Sequence, residues 1–234
     1  MPLPLFYIEQ LDPQSDLHKL NEENSRHLIQ VLRMQPKDLI QLTDGNGNIV
    51  TAEIMDANKK SCLVKQLSIE KQPKEKKHIS IAISLIKNTS RFEWFLEKAN
   101  EIGVSEIIPL QCERTEKQQF RFDRMKGILI SAMLQSRQCR LPKLHQPIAL
   151  NQFVLSSTSD CKWIAHCEED STKQMIPLVN EAASSTLLIG PEGDFTHKEI
   201  LFAISNGFIP VSLGSNRLRT ETAGVVGAVL LNLG

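Results

Sequence analysis

Apolar positions along the chain fall into two regimes. Up to residue 70 they alternate with polar ones in short runs, the period of strands. Residues 5–9, 39–43, 49–55 and 61–69 each predict a strand. The Asp44-Gly45-Asn46-Gly47-Asn48 run between the middle two is a dense turn signal that favours positive φ and predicts a hairpin. One helix interrupts this pattern over residues 21–32, with Leu28, Val31 and Leu32 on one face and Pro36 marking its end. Several short strands with one helix predict a small barrel over residues 1–70. Residues 71–77, the charged and proline-containing end of EKQPKEKK, read as a linker.

From residue 78 strands alternate with helical periods, the pattern of a parallel sheet covered by helices. Strands are predicted at 79–86, 106–110, 162–166, 186–189 and 209–213. Helices are predicted from Ser90 to Gly103, at 123–138, 171–183 and 196–206, and from Thr220 onward. Ser90-Arg91-Phe92-Glu93 and Thr196-His197-Lys198-Glu199 both have capping-box spacing. The run 186–189 is nearly all apolar, as a strand covered on both faces should be.

Composition adds limits. The N-terminus lacks a basic region followed by a long apolar run, and the longest strongly apolar run, 223–231, is too short to cross a bilayer, so a cytoplasmic protein with no membrane partner is expected. The five cysteines are scattered without a C-x-x-C pair, which argues against disulfides and a zinc ribbon. Cys161, His166 and Cys167 are the tightest cluster, but neighbouring strand residues point to opposite faces and chelate poorly, so no metal is expected. The zero net charge conceals an asymmetry: residues 71–150 carry +7, while the blocks before and after carry −3 and −4. A phosphate backbone and a solvated charged face explain that excess equally well.

Ligands of open parallel sheets bind beyond the carboxyl ends of the strands, which draws attention to the last two such loops. The first is Gly190-Pro191-Glu192-Gly193-Asp194. Its glycines allow a sharp turn and close approach to main-chain amides, and it reads equally as a ligand loop or a tight strand-to-helix turn. The second, 213–219, holds Arg217 and Arg219 and runs into Thr220-Glu221-Thr222. Neither is a phosphate loop or a G-x-G-x-x-G fingerprint, and the chain has no G-x-S-x-G elbow or H-E-x-x-H helix. ATP hydrolysis, dinucleotide redox chemistry, serine hydrolysis and zinc proteolysis therefore lack an anchor.

The pair IGPEGDFTHKEI and LGSNRLRTETAG resembles the C-terminal motifs of the RsmE family, 16S ribosomal RNA uridine-N3 methyltransferases of the SPOUT superfamily. The resemblance extends over essentially the whole chain. HLIQVLR (27–33) is similar to the family's PUA-like RNA-binding domain, EKANEIGVSEIIPLQCERT (97–115) to the opening of its methyltransferase domain, and Gln135, Ser136, Arg140 and Pro142 to its middle motif. The chain departs from the family pattern at Asp194, where a second glycine is usual, at Glu97, Asn100 and Gln138, and at Leu5, where an arginine is common.

The resemblance implies an α/β fold: a PUA-like β-barrel over residues 1–70, a linker over 71–77, and a SPOUT parallel-sheet domain with a trefoil knot over 78–234. It also implies S-adenosyl-L-methionine as cofactor, ribosomal RNA in the small subunit as substrate, and a homodimer, with Gly224 and Gly227 suited to close helix packing either at that interface or within the chain. Leu188, Gly190, Pro191, Gly193, Leu213, Gly214, Leu218 and Thr222 would form the cofactor pocket. Arg219 would stabilise the developing uracil anion, with Glu221 as its orienting partner or as proton acceptor. His27, Arg33, Arg114, Gln135 and Arg140 would contact RNA. Two alternatives remain open: a related SPOUT methyltransferase acting on another RNA, and a catalytically silent RNA-binding protein.

Overall fold

Alternating side chains in the first seventy residues build one buried face. In the computed structural model, which describes residues 2–74, 76–116, 119–168, 173–177 and 182–233, Ile40, Leu42, Val50, Ala52, Ile54 and Val64 are completely buried. They belong to β3 (Leu39–Thr43), β4 (Asn48–Asp56) and β5 (Leu63–Lys71), which follow β1 (Leu5–Tyr7) and β2 (Leu17–Lys19). The strands form a curled five-stranded sheet in the order β1-β3-β4-β5-β2, in which Ile40 faces Ala52 and Leu42 faces Val50. Phe6, Leu20 and Leu28 complete this core.

The chain divides into two compact units, residues 1–74 with 133–141 and residues 75–132 with 142–234. Segment 133–141 is held within the first unit by Arg140. Its guanidinium donates to the carbonyls of Asn46 at 3.1 Å, Gln72 at 2.5 Å and Pro73 at 3.2 Å. Gly47, at φ 92°, makes room for it: a Cβ there would stand 2.4 Å from Arg140 Nη2. The hairpin thus needs glycine at Gly47 both for its backbone angle and for this arginine.

The helix expected over 21–32 forms in two pieces. Helix α1 (Glu22–Arg26) is capped by the Asn21 side chain on the Asn24 N–H and then widens into a π turn over His27–Val31. The wider turn changes the angular step between residues, so the single apolar face breaks up. Leu28 is buried, whereas Val31 and Leu32 are 67% and 41% exposed.

The second unit starts with β6 (His78–Ser84), α2 (Thr89–Ile102), β7 (Glu106–Gln111) and α3 (Phe122–Gln135), whose last residues count with the first unit. Next come β8 (Lys143–Leu144), β9 (Ile148–Ala149), α4 (Leu150–Ser156), β10 (Cys161–Ala165) and β11 (Gln174–Met175). The chain closes with β12 (Ser184–Ile189), α5 (His197–Ser205), β13 (Ile209–Ser212) and α6 (Thr220–Leu233). The sheet is parallel throughout its described pairs, in the order β11-β13-β10-β12-β6-β7-β8, with β9 also on β7.

Residues alternate between the two faces of that sheet. Ala82, Ile108, Ile164 and Leu188 pack with Leu150, Val154, Ile200 and Ala203 of α4 and α5. Helices α2 and α6 pack against each other, and α6 also packs on β6 and β12. Gly224 and Gly227 face inward on this second side: a Cβ on Gly224 would stand 2.7 Å from Phe95, and one on Gly227 2.1 Å from Leu187. The close approach the two glycines permit therefore lies within the chain, the second of the two packings the sequence allows.

Two local expectations are also corrected. Asn88, not Ser90, caps α2 by accepting from the Ser90 N–H, and Glu93 instead pairs with Arg124 at 2.5 Å. Of the helix expected at 171–183, Gln174 and Met175 form a strand beside Val211 and Ser212, and residues 171–172 and 178–181 lie outside the described residues. No helix of the described residues is long and apolar enough to cross a membrane.

Candidate active site

Loops leaving the sheet at the carboxyl ends of β12 and β13 flank the exit of β10, because Ala165 pairs with Ile189 on one side and Val211 on the other. A hydrogen bond closes the arrangement: Thr220 Oγ1 donates to the Gly190 carbonyl at 3.1 Å in a buried setting. The second loop therefore ends where the first begins. Arg219 and Glu221 flank Thr220 in the chain, at the start of α6.

The turn is braced from several directions. Arg114, following β7, donates to the carbonyls of Gly193 at 2.7 Å and Phe195 at 3.4 Å. The Glu199 carboxylate accepts from the backbone N–H groups of Glu113 and Thr196, both at 2.8 Å, completing the capping box that opens α5. That buried carboxylate also acts on Cys112. Burial, and then the Glu199 charge, push the Cys112 thiol up to about 12, so it stays protonated and inert at neutral pH.

Asp194 accounts for a departure from the family pattern. Its φ is 63°, in the left-handed region where glycine is the usual residue, and Asp is among the few side chains that tolerate it. The carboxylate accepts from its neighbour Phe195 N–H at 2.9 Å and from Cys167 N–H at 2.7 Å. It thereby ties the first loop to the segment leaving β10. Gly214, at φ 131°, has nothing within 4 Å of where its Cβ would stand, so the second loop presents bare backbone to open space.

The expected site residues separate into groups. Gly190, Pro191, Gly193, Leu213, Gly214 and Leu218 lie on the two loops, and Thr222 is on the first turn of α6. Leu188 is completely buried in the core with α5 and sits in a strand paired on both sides, so it can only underlie a ligand, not bond it. Arg219 is exposed. Glu221 is only 6% exposed: Oε1 lies 3.6 Å from Arg91 Nε, and buried Oε2 has no hydrogen-bond partner. Arg91 is a residue that local sequence patterns did not single out, since its partner is remote in the chain.

Among the expected RNA contacts, His27 is exposed at the start of the π turn with its ring edge-on to Phe6, Arg33 is exposed at φ 56°, and Gln135 is exposed at the end of α3. Arg114 and Arg140 differ, because their guanidinium groups are engaged with the carbonyls named above. Both brace the backbone around them through these bonds. Among the described residues no group of three His, Cys, Asp or Glu side chains is arranged to hold a metal ion.

Comparison with known proteins defines the class. Residues 73–232 match the family model for an RNA methyltransferase domain, and residues 20–67 match that for an RNA methyltransferase PUA domain. Ribosomal RNA small subunit methyltransferase E of Buchnera aphidicola is 31% identical over 98% of this chain and 92% of its own. The protein of the same name from Synechocystis is 31% identical over 88% of this chain and 69% of its own. The chain belongs to the RsmE family of small-subunit ribosomal RNA methyltransferases. The crystal structure of the Neisseria gonorrhoeae member bound to S-adenosyl methionine superposes with a TM-score of 0.86, at 27% identity over 97% of this chain and 95% of that one.

Proposed function

We propose that this protein transfers a methyl group from S-adenosyl-L-methionine to the N3 position of a specific uridine in the 16S ribosomal RNA of the small subunit. The observation that carries the reading is the Thr220 to Gly190 hydrogen bond, which joins the two loops next to the candidate catalytic residues Arg219 and Glu221 in the chain. Family membership supports the same conclusion.

The residues fit the cofactor. Bare backbone at Gly214 and the braced turn at 190–194 offer main-chain groups to a flat adenine. Pro191, Leu213, Leu218 and Thr222 would flank it, Gly190 and Gly193 would admit it closely, and Leu188 would support the floor from below. When bound, the cofactor supplies an electrophilic methyl group on a sulfonium. The chain's own task is to align the uracil ring and make N3 available.

N3 carries a proton and is a poor nucleophile until that proton leaves. Arg219 would stand beside the uracil oxygen as negative charge develops, where one well-placed donor contributes ~3 kcal/mol. Glu221 Oε2, buried and without a hydrogen-bond partner, is an acceptor suited to the departing proton or to orienting Arg219. His27, Arg33 and Gln135 would contact the RNA. A trefoil knot, a homodimer and a cytoplasmic location belong to the same proposal.

The test is methyl transfer from labelled cofactor to unmethylated small subunits and to naked RNA, followed by digestion to nucleosides. N3-methyluridine is the expected product. A methylated ribose or another base would assign a different activity, and RNA binding without transfer to either substrate would make the chain a binding protein.

A further inference from the structure

Helix α6 carries a single charged residue, Glu221, and buries it on the face that meets α2. The seam between the two helices can be followed from end to end. Arg91 Nε lies 3.6 Å from Glu221 Oε1 at the first turns, and one turn further on a Cβ on Gly224 would stand 2.7 Å from Phe95. Where the helices end, Asn232 Nδ2 donates to the Ile102 carbonyl at 2.5 Å. The steps from Arg91 to Phe95 and from Glu221 to Gly224 are those of residues sharing one helix face. Both helices follow strands of the parallel sheet, β6 and β13, so their first turns lie at its carboxyl end, where the loops after β12 and β13 also leave it.

Neighbouring cations are engaged elsewhere. Lys87 pairs with Glu116 at 3.1 Å and Arg124 takes Glu93, which leaves Arg91, among the described residues, as the cation that α2 brings to α6. Stability alone does not account for the pair. Replacing a buried ion pair by apolar side chains of similar volume is often neutral or stabilising, and the seam around it is otherwise apolar. Nor are both carboxylate oxygens satisfied, because buried Oε2 has no hydrogen-bond partner among the described residues. A buried acceptor kept unsatisfied calls for a functional explanation.

The same turn of α6 fixes Arg219. Its carbonyl accepts from the Ala223 N–H at 2.8 Å, and Thr220, next in the chain, is bonded to Gly190. The turn thus carries Glu221 and the main chain of Arg219 together, and Arg91 is the charged contact that holds it from another helix.

We propose that Arg91 is a positioning residue for methyl transfer: from the first turn of α2 it fixes the Glu221 carboxylate by Oε1 and leaves Oε2 as an oriented acceptor for the reaction. Arg91 acts through Glu221 and not on substrate or cofactor. This rests on the role given to Glu221 in the reading above and adds the residue that holds it in place.

The experiment measures methyl transfer from labelled cofactor to unmethylated small subunits by the full chain, with cofactor affinity followed by calorimetry. R91M keeps an apolar stem and loses the charge. It should lower kcat by about tenfold or more, with KM for subunits and cofactor affinity unchanged. R91K should recover most of the loss. In an E221Q background R91M should change kcat by about twofold or less, because the two residues act as one unit. E106Q, which weakens the fold at the other end of the sheet, should keep the wild-type kcat and so separates positioning from stability. R91M at the wild-type rate, R91K no better than R91M, or losses in R91M and E221Q that multiply in the double variant each overturn the proposal. So does E221Q at the wild-type rate, which removes the residue Arg91 acts through. All of these leave the enzymatic reading standing, whereas absence of transfer by wild type overturns that reading and the role of Arg91 with it.

Discussion

Asp194 holds the backbone N–H of Cys167 at 2.7 Å while its own backbone sits at φ 63°, so one residue both forms the tight turn after β12 and ties it to the exit of β10. The two roles separate by substitution. D194A keeps the backbone strain and loses the tether, and should cost about 1–3 kcal/mol of stability. D194G loses the tether but relieves the strain, and D194N keeps an acceptor and tolerates the angle. Thermal unfolding should therefore rank wild type and D194N above D194G, and D194G above D194A.

Arg91 and Glu221 form a second pair across helices α2 and α6. Removing Arg91 strands a carboxylate that is almost fully buried, and loss of one partner of a buried pair typically costs several kcal/mol. Arg91 is itself 38% exposed, so solvent screening reduces the expected loss for R91A to about 1–2 kcal/mol. E221Q, which removes the charge that needs compensation, should be milder in urea unfolding. For methyl transfer the order reverses under the proposed role of Glu221, because the Gln amide cannot take up a proton as the carboxylate can.

Glu106 opens β7, at the end of the sheet away from the candidate site. Burial raises its pKa, but hydrogen bonds to His145 at 2.5 Å, His78 and Ser80, with the His145 charge, outweigh burial and leave it below the usual 4.5. A depressed carboxyl contributes stability that is complete above its unfolded value and lost as pH falls through the folded one. Denaturation midpoints should thus fall as pH drops below about 4.5. E106Q should be less stable at neutral pH and show a shallower decline on acidification.

Gly224 tests where helix α6 packs. A Cβ there would meet Phe95 at 2.7 Å and Ile83 at 2.9 Å, so G224A should destabilise the chain by about 1–3 kcal/mol through overpacking. Because the clash is internal, sedimentation should give the same assembly state for G224A and wild type at temperatures where both are folded.

What the sequence disclosed and what it concealed divide by the range of the interaction. The capping box at Thr196 and Glu199 is local and was legible, and so were the buried strand at β12 and the hairpin around Gly45 and Gly47. The Ser90 box was misleading because Asn88 competes for the same cap and Arg124, a distant residue, takes Glu93. The π turn after Arg26 defeated a reading based on 3.6-residue spacing. At the candidate site, both loops were visible as motifs. Their joining through Thr220, the Arg91 partner of Glu221, and the use of Arg114 and Arg140 as braces were not visible, since each depends on residues far apart in the chain.

Calorimetric titration with S-adenosylmethionine tests the central claim, that the loops after β12 and β13 jointly hold one cofactor. Wild type should show saturable heat at one cofactor per chain. T220V, which removes the hydrogen bond to Gly190, should bind about three to tenfold more weakly. No heat with folded wild type, or identical affinity in T220V, would contradict the account.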